Sequence, residues 1–75
     1  MSLEKHERIL LVGAKLKALR IKAGYKNSEL FANENELPRV QYWRMERGTN
    51  CTIKSLLRVL KVHKVSLSEF FKYIN

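Results

Sequence analysis

Signals that stop one helix and start the next follow each other closely along this chain, and their spacing restricts it to a set of short helices. Gly24 is a C-terminal stop, and Asn27 is an N-cap with Glu29 favourably placed in the turn behind it. Pro38 suits the first turn of a third helix, and Gly48 ends it. Thr52 opens a fourth, and Ser66 with Glu69 forms the S-x-x-E capping box of a fifth. Between the signals the apolar residues keep helical spacing. Ile9, Val12, Leu16 and Leu19 form the stripe of a first helix from near Leu3 to Ala23. The second runs from Ser28 to about Asn35. Ile53, Leu56, Leu57 and Leu60 mark the buried face of the fourth, and Leu67, Phe70, Phe71 and Ile74 that of the fifth. β-Branched alternation never persists, so strands are not expected. The prediction is an all-α, compact, five-helix fold in which residues 1–75 make a single domain.

A chain of 75 residues buries only about 60% of its unfolded surface, so its core must be local. Its charge narrows the partners. Fifteen Lys and Arg against seven Asp and Glu give a net charge of +8, which points to a polyanion, nucleic acid before an anionic membrane surface. The longest apolar run, Ile9 to Val12, is far too short to span a bilayer, and Glu4 and Glu7 spoil a signal-peptide start; a cytoplasmic protein is expected. Cys51 stands alone and is read as a free thiol. His6 and His63 lack ligand spacing and are read as solvated or capping, so no metal and no cofactor are expected. No nucleophile with an assembled base, no paired carboxylates in apolar surroundings and no phosphate-cradling glycine loop appear, which argues against an enzyme.

The link between the second and third helices, around Glu36 and Leu37, is only about two or three residues long, and its shortness forces a sharp helix-turn-helix angle. From Gly13 to Phe71 the chain resembles the Cro/repressor-like helix-turn-helix domain of bacterial and phage transcription regulators. The resemblance is carried by "LKALRIKAGY", "ELFANENELPRVQYWRMERG" and "LSEFF". It implies a lambda-repressor-like fold with the helix-turn-helix formed by helices 2 and 3. It implies that Ala32 is the small residue that lets the third helix approach, that Leu37, Tyr42 and Met45 face inward, and that Arg20 pairs with Glu46 in a structural salt bridge. Two positions depart from the family. The turn position usually taken by glycine falls at Glu36, with Asn35 beside it as the other residue able to turn left-handed. Ser28 stands where many relatives have a bracing glutamine.

At about 100° per residue, the third helix has Tyr42 and Met45, with Pro38 beside them, on one face and Arg39, Val40, Trp43 and Arg44 on the other, with Gln41 at the border. A rotated alternative buries Trp43 and exposes Tyr42. The resemblance assigns the outward face to the major groove of double-stranded DNA. The expected base contacts are Arg39, Val40, Gln41, Trp43 and Arg44, on a recognition helix of about residues 38–47. Phosphate contacts are expected from Lys26 and Ser28 on one flank and Arg47, Thr49, Asn50 and Lys54 on the other. Lys54, Arg58 and Lys61 form a polar stripe, solvated for the last two. A homodimer on half-sites about 34–36 Å apart is expected, with "FFKYIN" as a candidate dimer surface and no small-molecule ligand implied. The competing function is a protein-interaction module, antitoxin-like or a regulator partner, with Trp43 as its anchor. Glu29, Glu34 and Glu36 lean towards that alternative, and the net charge leans towards DNA.

Overall fold

In the computed structural model, which describes residues 5–72, five helices follow one another with no strand among the described residues. They are α1 (Lys5–Lys22), α2 (Ser28–Glu34), α3 (Arg39–Glu46), α4 (Ile53–His63) and α5 (Leu67–Phe70). The N-terminal signals act through side chains. Asn27 Oδ1 accepts from the Leu30 amide at 2.7 Å, and Thr52 Oγ1 from the Ser55 amide at 3.0 Å. Ser66 and Glu69 close their capping box reciprocally, each cap relieving amides that have no partner within the helix.

The C-terminal ends share one device. At the ends of α1 to α4 the residue with positive φ is Gly24 (98°), Glu36 (56°), Gly48 (87°) and Lys64 (57°) respectively. In each case its amide, and the amide after it, bond back to the last turn, as in Glu36 to Asn33 O and Leu37 to Ala32 O at 2.9 Å. This is the Schellman arrangement. The second helix therefore ends at Glu34, and Glu36 rather than Asn35 takes the left-handed conformation. Asn35 stays at φ −107° and donates its side-chain amide to Phe31 O at 2.9 Å. Arg58 Nη2 donates to Glu36 O at 3.1 Å, holding the strained residue from α4.

Other expectations shift by a fraction of a turn. Pro38 is the N-cap of α3 rather than a first-turn residue, at ψ 113°, and it is exposed instead of turned inward. On α4 the core stripe is Leu56, Val59 and Leu60, while Ile53 and Leu57 face solvent. Ile53 and Leu57 lie at the edge of the apolar arc, and the spacing alone does not say where that arc is centred. His63 completes the stripe: it is no solvated histidine but stacks on Phe31 with ring centroids 5.1 Å apart. On α5 Phe70 is buried, with Leu67 and Phe71 half-buried, whereas Ile74 lies outside the described residues, as does Leu3 at the expected start of α1.

Phe31 is the hub of the core. Tyr25, Tyr42 and His63 each bring a ring within about 5 Å of it, and Leu16, Leu37, Met45, Leu56 and Phe70 fill the rest. The radius of gyration is 11.8 Å, near the value of about 11 Å for a compact chain of this length. α3 is the element both α1 and α2 pack against. The α1 contact is made at Gly13, where a Cβ would lie 2.5 Å from Glu46 O and 2.8 Å from Met45 O. No helix among the described residues is long and apolar enough to cross a membrane.

Candidate nucleic-acid interface

The eight residues of α3 divide sharply between inside and outside. Tyr42 and Met45 are 1% and 3% exposed, whereas Val40 and Trp43 are 57% and 47% exposed. Arg39 and Arg44 are exposed with them. Tyr42 therefore holds the core slot beneath Phe31, and Trp43 is the outer aromatic.

The inner side is fixed by charge as well as by packing. Arg20 of α1 grips Glu46 with two parallel bonds, Nε to Oε2 at 2.8 Å and Nη2 to Oε1 at 3.2 Å, and its Nη1 donates to Tyr25 O at 2.8 Å. Both side chains are below 10% exposed, at 5% and 8%. The hydrogen-bonded Glu46 carboxylate raises the Arg20 guanidinium above its ordinary value despite burial. The Tyr42 hydroxyl is buried next to this pair without a hydrogen-bond partner of normal geometry. Burial first, and the Glu46 carboxylate second, push that phenol far up, so it stays protonated.

The outer side opens on a groove of about 810 Å³ between α2 and α3, lined by Asn27, Ser28, Glu29, Leu30, Asn33, Arg39, Val40 and Trp43. Of the residues expected to meet DNA, it gathers Ser28, Arg39, Val40 and Trp43. Arg39 Nη1 donates to Glu29 Oε1 at 3.0 Å across it, an exposed ion pair. The Arg47 guanidinium lies 4.7 Å from the Trp43 ring centroid, a cation–π contact one helical turn along.

The remaining expected contacts lie around this groove rather than in it. Gln41 turns towards α4 and bonds Ser55 Oγ at 2.5 Å, so its amide is engaged inside the domain. Thr49 Oγ1 donates to Arg44 O at 2.9 Å, closing the end of α3. Lys26, Asn50 and Lys54 are exposed, Lys54 in the first turn of α4. Sequence reasoning missed Glu29, Leu30 and Asn33 as lining residues, since nothing local ties α2 to Arg39. The Trp43–Arg47 spacing of four was a usable signal, because such pairs face each other on a helix.

The assembled face carries planar cationic donors, one carboxylate and an apolar strip of Leu30, Val40 and Trp43, all on rigid helices. Such a surface can form bidentate hydrogen bonds and apolar contacts with a ligand lying along α3. Compared with protein-family models, with curated proteins and with solved structures, the chain has no significant match.

Proposed function

We propose that this chain is a sequence-specific double-stranded-DNA-binding transcription regulator. In this reading the fold is lambda-repressor-like, α2 and α3 are its helix-turn-helix, and α3 enters the major groove. The observation that carries it is the outer face of α3, where Arg39, Val40, Trp43 and Arg44 stand in solvent while Tyr42, Met45 and Glu46 anchor the helix from behind. Arg39 and Arg44 supply the planar forks suited to guanine O6 and N7. Ser28 and Lys26 flank the face on one side, and Arg47, Asn50 and Lys54 on the other, as phosphate contacts; Thr49, expected among them, has its hydroxyl and amide both committed to Arg44 O. The net charge of +8 supports a polyanionic partner. The reading includes a homodimer on two half-sites, binding rather than catalysis, and a cytoplasmic setting.

Selection from random duplex pools across a salt series tests it. An enriched motif is expected, with log K falling steeply as log salt rises; no motif and a flat salt response would sink the proposal. Within the selected site, Arg39→Ala should relax the preference at one base pair, a loss of about 1–3 kcal/mol of discrimination. Lys54→Ala should weaken all sequences alike.

The half-exposed Leu30, Val40 and Trp43 beside Glu29 favour one second reading, a protein-interaction module anchored on Trp43. In that case Trp43→Ala removes partner binding, and DNA selection finds nothing from the start.

A further inference from the structure

We infer that the groove between α2 and α3 reads a guanine together with the 5-methyl group of a pyrimidine in the neighbouring base pair. The inference rests on the DNA-binding proposal and assigns the groove its ligand.

The polar half of the groove is a donor beside an acceptor. Arg39 Nη1 donates to Glu29 Oε1, 3.0 Å away, an exposed pair that biases the guanidinium towards the groove, where donor and acceptor stand side by side. Glu29 is favoured by the N-terminus of α2 and by Arg39, and because a carboxylate on a basic face repels phosphate, the group suited to its free oxygen is a base amine. The major-groove edge of a G·C pair answers both groups: O6 and N7 of guanine accept from arginine, and the cytosine N4 amine donates to a carboxylate.

The apolar half needs a different partner. Val40 and Trp43 are 57% and 47% exposed and share the groove with Leu30 at 45%. Among major-groove edges only thymine and 5-methylcytosine present an apolar group, the methyl on C5. Arg39, Val40 and Trp43 lie within about one turn of helix, roughly 5.4 Å of rise, and base pairs stack about 3.4 Å apart, so the two halves meet adjacent pairs. The Arg47 cation over the Trp43 ring keeps positive charge beside the apolar strip, which suits a methyl group carried on a polyanion better than the apolar face of a protein helix.

The test uses the site found by duplex selection. Thymines are replaced one at a time by uracil, which deletes the methyl and keeps every hydrogen-bonding group. One position, next to a guanine, is expected to lose about fourfold in affinity, equivalent to the ~0.8 kcal/mol of burying one such carbon. At the same position, 5-methylcytosine is compared with cytosine. A gain of similar size assigns the contact to the methyl from either source, and a loss with uracil alone assigns it to thymine. Val40→Ala and Trp43→Ala should each reduce the uracil effect, since they remove the surface on which the methyl packs. The inference is overturned if no thymine responds and 5-methylcytosine gains nothing, or if both variants keep the full methyl effect. An enriched motif indifferent to methyl groups removes this inference alone, whereas the absence of any motif removes the DNA reading beneath it.

Discussion

Arginine meets carboxylate on both sides of α3, and burial decides what each pair can do. Arg20 and Glu46 are enclosed, so removing one partner leaves the other charge in a poorly solvated site. Glu46→Ala is expected to cost about 3 kcal/mol, lowering Tm by roughly 12–24 °C in a domain of this size. Replacing both residues by apolar ones of similar volume should restore most of that loss, and thermal melts of the single and double variants check the pair. The resemblance alone pointed to this bridge, because nothing local links a residue of α1 to the end of α3. Periodicity sorted α3 into two faces, Tyr42 with Met45 and Val40 with Trp43, but each carries apolar residues, so the rotated alternative stayed open until the resemblance put Tyr42 inward; the structure buries Tyr42 and exposes Trp43. Glu29 beside Arg39 was not legible. Those residues meet only because of how the turn at Glu36 sets α2 against α3; the resemblance placed the left-handed residue at Glu36 or Asn35, but no local signal gives the angle at which that turn sets the two helices.

At the scale of elements, caps were the most legible feature because their chemistry is local. Asn27, Thr52 and the Ser66–Glu69 box act where their sequence says they should. The helix ends at Glu36 and Lys64 carry the same bonds as those at Gly24 and Gly48, yet Glu36 was marked only by the resemblance and Lys64 by nothing in the sequence. The burial arc of α4 was misjudged towards Ile53 and Leu57 because the neighbours that choose its centre lie elsewhere in the chain. Gly13 belongs to the same class of hidden constraint. A methyl group there meets backbone oxygens of Glu46 and Met45, and backbone gives way far less easily than a side chain. Gly13→Ala gains up to about 1 kcal/mol of helix propensity and loses roughly 1–3 kcal/mol to overpacking. A lower Tm is therefore expected, and a stabilised variant would show that α1 has room to retreat from α3.

For the whole molecule, stability should depend on pH through one ring. His63 packs against Phe31 with its Nε2 buried and unpartnered, and burial holds its pKa below the ordinary value. The unfolded chain, in which His63 titrates at about 6.5, then binds more protons there than the folded one. The stability due to neutral His63 is complete above that value and declines as pH falls from about 6.5 through the folded pKa. Tm should accordingly drop between about pH 7 and 5.5, before carboxylates titrate, and His63→Phe should flatten that slope. If the slope survives the substitution, the ring is not its source. Dissolved ions act on the molecule in another way. The Debye length shrinks from about 10 Å at 0.1 M salt to about 3 Å at 1 M, and only charges in contact with solvent follow it. The Arg39–Glu29 pair is open to that screening and the Arg20–Glu46 pair is not. Ionic strength thus separates the two sides of one helix: a brine that frees Arg39 to reorient leaves the depth and tilt of α3 as they were.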